Sequence, residues 1–263
     1  MNFKISGKVA LVAGGSQGMG AEVASMLAAE GCRVAIVARN QARIDKTLEK
    51  LHSNNGEAIG IAADLSTADG VKLAVETTTA AFGPPEIVVA QTNDTSHGDF
   101  FDVTEEDFER VFQTFTVSFS RLVRAVLPEM QKAQWGRIVH IGSLAAKEPP
   151  RDLKHVVHST VRAATSGLIK SLSNEFAQYG ITLNTVAPGY IMTDTMQNYF
   201  EEKYGVLDSS VAEWVETTRS IPAGRHGTTE EIGSLIAYLC SDQSGYISGE
   251  WITVDGGLHQ SVM

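Results

Sequence analysis

The chain has 263 residues, 43% of them hydrophobic and 20% charged, with a formal net charge of −10. That length allows one α/β domain with a large core. The acidic balance excludes a partner held through nucleic-acid phosphates, which needs a basic surface, and no apolar run is long enough to cross a membrane.

In chain order, Val9 to Ala13 is a short apolar run suited to a buried parallel strand. Gly14, Gly18 and Gly20 follow in a G-x3-G-x-G spacing, and Ala21 to Ala29 reads as a helix. Strand, glycine turn and helix N-terminus form a place where backbone N–H groups favour a phosphate, and glycine lets that phosphate come close. Arg33 to Ala38 is a second strand that ends in Arg39-Asn40, and residues 41 to 54 carry Ile44, Leu48 and Leu51 at helical spacing. A third strand (Ala58 to Ala62) runs into Asp64-Leu65. A helix from Ala68 to Phe82 stops before Pro84-Pro85, and Ile87 to Ala90 is a fourth strand. The spacing of Phe108, Val111, Phe115, Phe119, Leu122 and Val126 predicts a long helix from Glu105 to Gln131. Arg137 to Ile141 is a fifth strand ending at Gly142-Ser143. A helix from Val157 to Gln178 is expected to bury Val157, Val161, Ala164, Leu168 and Leu172. Ile181 to Ala187 is a sixth strand before Pro188-Gly189. An insertion over 190–220 precedes a helix near 229–241 and a last strand, Trp251 to Val254.

This alternation specifies a parallel sheet covered on both faces. In such sheets ligands bind beyond the carboxyl ends of the strands, which selects Gly14 to Gly20, Arg39, Asp64, Gln91 to Asn93, Ser143 and Pro188-Gly189. Cys32 and Cys240 match no metal or redox spacing and read as reduced core thiols of a cytoplasmic protein. The opening MNFKISGK leads straight into the first strand and leaves no room for a signal peptide. No metal site is expected: His155 and His158 lack a third ligand.

With these pieces in place the chain resembles the short-chain dehydrogenase/reductase family, and its 3-oxoacyl-ACP reductase-like members in particular. The matching motifs are Ala13-Gly14-x3-Gly18-x-Gly20, Asp64-Leu65, Gly136-Arg-Ile-Val-His-Ile-Gly-Ser143, Asn184-Thr-Val-Ala-Pro-Gly189 and Gly249-x5-Asp255-Gly-Gly257. The resemblance implies a single Rossmann-type doubly wound α/β domain over residues 1–263 with a seven-stranded parallel sheet. It also implies NAD(P)(H) and hydride transfer at a carbonyl or alcohol carbon. Cofactor contacts then fall on Gly14, Ser16, Gln17, Gly18, Met19, Arg39, Asp64, Leu65, Gln91, Arg162, Pro188, Gly189, Ile191 and Thr193. Arg39 stands where an acidic residue would favour NAD, so NADP is the expected cofactor, with NAD as the alternative.

The catalytic positions depart from the family's Asn, Ser, Tyr and Lys. Ser143 keeps the serine. Counting back from Lys170-Ser171-Leu172, the Tyr-x3-Lys pair falls on His158 and Arg162, with a two-residue insertion between Leu144 and Val157. His158 and Arg162 share one helix face with Thr165 and Ile169. Imidazole transfers protons near neutral pH; a guanidinium holds hydroxyls and supplies charge but stays protonated. The family's asparagine falls on Phe115, and Thr92 and Asn93 replace smaller residues after the fourth strand. The expected catalytic set is Ser143, His158 and Arg162, in an NADP(H)-dependent oxidoreductase with an altered site. The alternative is a cofactor-retaining relative that does non-redox chemistry (aldol, cyclisation or elimination) or acts as a silent binding or partner subunit. Arginine in the lysine's place also resembles the halohydrin dehalogenases, but these fill the phosphate loop with bulky residues, whereas Gly14, Gly18 and Gly20 are all present.

The 190–220 insertion is the expected substrate lid, lined by Met192, Met196, Tyr199, Phe200, Val206, Leu207 and Trp214 unless these pack its own short helices. The resemblance implies a homotetramer or homodimer through the helices at 105–131 and 157–178. The long apolar stripe from Phe108 to Val126 argues the same way, because one chain would struggle to cover it.

Overall fold

The inner strands place apolar side chains on both faces, and that dictates the layers. In β1 (Val9–Ala13), Ala10 and Val12 enter one core while Leu11 and Ala13 enter the other. β2 (Arg33–Ala38) and β4 (Ile87–Ala90) split in the same way. With β3 (Ala58–Ala62), β5 (Gly136–Ile141), β6 (Ile181–Pro188) and β7 (Trp251–Val254) they form one seven-stranded parallel sheet. Its order is β3-β2-β1-β4-β5-β6-β7, as expected for a Rossmann-type α/β fold. The computed structural model describes residues 2–92, 98–149, 155–194, 196, 197 and 218–262.

Helices α1 (Gly18–Ala29), α2 (Gln41–Ser53) and α7 (Thr229–Leu239) cover one face through Val23, Leu27, Ile44, Leu51, Ile232 and Ile236. The other face is covered by α3 (Ala68–Phe82), α5 (Ser118–Ala133) and α6 (Val156–Phe176). The strand order reverses between β1 and β4, so the crevice beyond their carboxyl ends is the expected place for a ligand.

Several boundaries differ from the sequence expectation for physical reasons. Helix α1 starts at Gly18 rather than Ala21, because Gly20 packs directly on the preceding turn; a side chain there would overlap the Gly14 carbonyl. The long helix is α4 (Glu105–Phe112) and α5 joined by a π-helical turn, Gln113–Val117. Thr116 in that turn bonds Thr165 of α6 (Oγ1–Oγ1 2.9 Å) and donates to the Val161 carbonyl at 3.3 Å. The bulge is thereby tied to the helix that carries the site.

The buried face of α6 is Val157, His158, Val161, Thr165, Ile169 and Ser173, while Ala164, Leu168 and Leu172 are half-buried. Thr165 and Ser173 can be buried because their hydroxyls donate to backbone carbonyls of Val161 (2.9 Å) and Lys170 (2.8 Å). Val111, Phe115, Phe119, Leu122 and Val126 are all buried by the chain's own helices and sheet. The stripe therefore does not require a partner, and the expectation of a dimer or tetramer is left resting on the resemblance alone.

Cys32 and Cys240 are buried free thiols; burial pushes the Cys32 thiol up to about 12 and raises Cys240 as well. Asn93, Tyr199, Phe200, Val206, Leu207 and Trp214 lie outside the described residues, and Met192 and Met196 are half-buried. Among the described residues no helix is long and apolar enough to cross a membrane.

Candidate active site

The carboxyl edge of the sheet opens into a cleft of about 730 Å³ that runs from the end of β2 across β1 and β4 to the ends of β5 and β6. That volume falls in the range of small-molecule and cofactor sites. Of the expected catalytic and cofactor-contact residues, all line this cleft except His158 and Ile191.

The glycine turn forms its centre. Gly14 adopts a φ of +78° and donates its N–H to the Val37 carbonyl at 2.8 Å, and a Cβ there would lie 2.7 Å from the Gln91 carbonyl oxygen. Only glycine combines that backbone with that clearance. Gly18, at φ +54°, has open space up to Thr193, which reaches over from the segment after β6. Thr47 of α2 donates to the Ser16 carbonyl at 3.0 Å and braces the turn from below. The first turn of α1 carries no acidic side chain, so its N–H groups and dipole remain available to an anion. Ser16, Gln17 and Met19 line the same wall.

At the β2 end, Arg39, Asn40 and Arg43 border the cleft, and Arg39 is near enough to Asp64 for its charge to help hold that carboxyl ionised. Asn40 caps α2 by accepting the Arg43 N–H at 3.1 Å. Arg43 was not singled out from the sequence, although its position one helical turn beyond Arg39 was the available signal. At the β3 end, Thr67 rather than Asp64 caps α3. Asp64 accepts the Ser66 N–H at 2.9 Å, which holds its carboxyl below the usual carboxylate range and so keeps it an acceptor at neutral pH. Arg121 (2.8 Å) and Gln113 (3.0 Å) both donate to the Ser66 carbonyl and fix the loop that carries Asp64 and Leu65.

The far end holds the candidate chemistry. Ser143 follows β5 and accepts the Ala145 N–H at 3.2 Å, leaving its own hydroxyl proton free to be donated. Arg162 donates to the Gly142 carbonyl at 3.0 Å and lies over the Phe115 ring at 4.8 Å. Burial pushes its guanidinium down to about 10, which leaves it charged at neutral pH. Pro188 and Gly189 close the wall opposite. Phe115, read as core, is core, but its face also carries the arginine. His158 is one turn before Arg162 yet only 5% exposed. It meets Phe115 edge-on at 5.7 Å between ring centres and His155 at 5.6 Å. Ile191 packs into the core and pairs in a β-bridge with Gly227. Among the described residues no group of three or more His, Cys, Asp or Glu side chains is placed to hold a metal.

His140, the penultimate residue of β5, is one that sequence reading passed over. It is 2% exposed, stacks edge-on against Phe119 at 5.4 Å, and its Nδ1 has no hydrogen-bond partner among the described residues. Burial, with added repulsion from Arg162, pushes its pKa down to about 3 from an ordinary 6.5. The unfolded chain therefore binds a proton that the folded one refuses. The stabilisation is complete above about pH 6.5 and is lost as the pH falls toward 3. Between about pH 7.5 and about pH 5, His140 should account for a loss of about 2 kcal/mol. Urea titrations at both pH values should show His140→Asn spared that loss; equal losses in the two proteins would remove His140 as its source.

Comparisons with known proteins cover the whole chain. A family model described as enoyl-(acyl carrier protein) reductase matches residues 13–259. The chain is 31% identical over 257 residues to a 3-oxoacyl-[acyl-carrier-protein] reductase of Vibrio cholerae, covering 98% of this chain and 99% of that one. It is 30% identical over 249 residues to the short-chain reductase protein NovJ of Streptomyces niveus, covering 95% and 93%. Among solved structures, L-sorbose reductase from Gluconobacter frateurii, complexed with NADPH and L-sorbose, superposes with a TM-score of 0.92 at 26% identity over 100% of both chains. YwfH, an NADPH-dependent reductase involved in bacilysin biosynthesis, gives a TM-score of 0.89 at 26% identity, covering 97% and 99%.

Proposed function

Because the chain belongs to the short-chain dehydrogenase/reductase family, we propose that it is an NADP(H)-dependent oxidoreductase acting on a carbonyl or hydroxyl carbon. In this reading Ser143, His158 and Arg162 form an altered catalytic site. The observation that carries it is the continuity of one cleft from Arg39 and the glycine turn to Ser143 and Arg162. A solved relative at 26% identity holds NADPH, which supports the same cofactor here.

The residues fit such a cofactor. The open space beside Gly18 and the unneutralised start of α1 suit a diphosphate. Arg39, with Asn40 and Arg43 beside it, suits a 2′-phosphate, and Asp64 suits an adenine amino group. When bound, the nicotinamide supplies or accepts the hydride. The chain's own groups do the rest. Arg162 holds ribose hydroxyls and sets a permanent positive charge beside the reacting oxygen. Ser143 donates a hydrogen bond from its hydroxyl to that oxygen and orients it. His158, behind Arg162 on the same helix, is the group that exchanges the transferred proton.

The test is NADPH consumption by the purified protein against a panel of 3-oxoacyl thioesters, ketoses and other ketones. Saturable consumption with one class is expected; NADPH binding without consumption across the panel would sink the redox reading. A second reading, a cofactor-retaining protein with non-redox chemistry or a binding role, draws on the exclusion of His158 from the cleft and predicts that latter outcome.

Cofactor choice makes a separate expectation. NADPH should bind more tightly than NADH, and Arg39→Ala should weaken NADPH by roughly 10- to 150-fold, the loss of one charge-assisted contact of about 1.5–3 kcal/mol. Calorimetric titration of both cofactors checks it. Equal affinities in the wild type, or an indifferent Arg39→Ala, would take Arg39 out of this role.

A further inference from the structure

The last residues of the chain fold back onto the turn that starts at Ser143. That turn is a single helical loop. Ala145 donates its N–H to Ser143 Oγ at 3.2 Å, and the Lys147 and Glu148 N–H groups both reach the Leu144 carbonyl at 3.0 Å. It ends in the half-buried Glu148, whose carboxylate accepts the Gln260 N–H at 3.1 Å and the Ser261 N–H at 2.6 Å. These two amides hold the carboxyl below its usual range, so it is charged at neutral pH.

A second turn, on Asp255, delivers those amides. The Asp255 side chain is 4% exposed and sits 2.6 Å from His259 Nδ1, while accepting the N–H groups of Gly257 (3.1 Å) and His259 (2.9 Å). The same turn abuts the opposite wall of the cleft: a Cβ on Gly189 would lie 2.7 Å from the Asp255 Cβ. The Gly256 carbonyl also accepts the Ala223 N–H at 3.0 Å, from the segment that leaves the 190–220 insertion.

We infer that Glu148 is a positioning residue. It captures the C-terminal strap and so fixes the Ser143 turn relative to the Gly189 wall. A carboxylate that accepts two backbone N–H groups makes charge-assisted bonds, and both partners come from the far end of the sequence. Released, the turn would keep its internal bonds and the anchors at Gly142 but lose its tie to the C-terminal strap, and the Ser143 hydroxyl would lose its fixed aim relative to the Gly189 wall. A displacement of about 1 Å at a reacting group costs on the order of 10²-fold in rate. The kinetic consequence rests on the reading of Ser143 as the hydrogen-bond-donating hydroxyl; the mechanical one does not.

Hydrogen exchange of the 142–149 peptide therefore comes first, in wild type, Glu148→Ala, Glu148→Gln, a truncation after Leu258, and the combined Glu148→Ala truncation. Glu148→Ala and the truncation should each speed exchange there by at least about tenfold. The combined variant should be no faster, because both cut the same strap. Glu148→Gln, which keeps an acceptor oxygen, should stay near wild type. With a ketone substrate, kcat should fall by about 10- to 100-fold in the first two while the NADPH Kd holds. Unchanged exchange in Glu148→Ala, or additive effects in the combined variant, would overturn the proposal. Faster exchange together with no turnover in any protein, wild type included, would leave the strap standing and sink the reductase reading.

Discussion

Arg162→Ala is expected to lower kcat/KM for the ketone substrate by about 10²–10³-fold, the scale of losing one preorganised charge-stabilising donor. The guanidinium lines the cleft, is pinned to the Gly142 carbonyl at 3.0 Å, and rests on Phe115. Pinned in this way, it need not reorganise as negative charge builds on the substrate oxygen. Its surroundings push its pKa down, but only to about 10, so it remains a cation throughout the working range. Arg162→Lys should recover part of the loss. Lysine keeps the charge but gives up the planar fork and the stacking on Phe115. NADPH affinity should fall by about tenfold in Arg162→Ala, one hydrogen bond to the ribose. Steady-state kinetics beside calorimetry separates the two effects. An unchanged kcat/KM would mean that the charge plays no part in the reaction.

Most of the fold was legible because the strands are short, apolar on both faces and separated by amphipathic segments, a pattern with one common solution. β1, β2, β3, β4 and β7 begin and end where the sequence placed them. What escaped reading was burial that hydropathy does not report. Val157 and Val161 are buried on α6 as expected, but Ala164, Leu168 and Leu172, apolar as they are, are only half-buried. The structure buries Thr165 and Ser173 instead, each satisfied by a backbone carbonyl within its own helix. The π turn at Gln113–Val117 escaped because Phe115 continues the i, i+4 stripe whether or not a residue is added to the turn. The stripe carries no argument about assembly either way, since α6 and the sheet already cover it.

At the cleft, most of the lining was legible because it belongs to local turns: Gly14, Arg39 and Asp64 follow strand ends and Gly18 opens α1. His140 was hidden inside a motif read for its ends, and both the Phe119 ring it packs against and the Arg162 charge it feels come from elsewhere in the sequence. Glu148 carried no local signal at all, for its partners Gln260 and Ser261 meet it only through the Asp255 turn.

His158→Gln is expected to cost about 10²–10⁴-fold in turnover and to leave NADPH affinity nearly unchanged. The motive is chemical. Of Ser143, His158 and Arg162, only the imidazole both gives and takes a proton near neutral pH, since arginine stays charged and a free serine hydroxyl stays protonated. The geometry sets the difficulty: His158 is 5% exposed and does not line the cleft, so its proton must pass through Ser143 or ordered water rather than straight to the substrate. Three substitutions separate chemistry from packing. His158→Ala removes the ring from against Phe115 and risks a cavity beside Arg162. His158→Phe fills that space without a titratable nitrogen, and His158→Gln keeps hydrogen bonding without proton exchange. If the imidazole is the proton exchanger, all three are slow by similar factors while thermal stability falls chiefly in the alanine variant. Should the Phe and Gln variants turn over at the wild-type rate, His158 is a buried core histidine. The proton would then come to Ser143 from solvent, with Arg162 alone supplying the charge that the reaction needs.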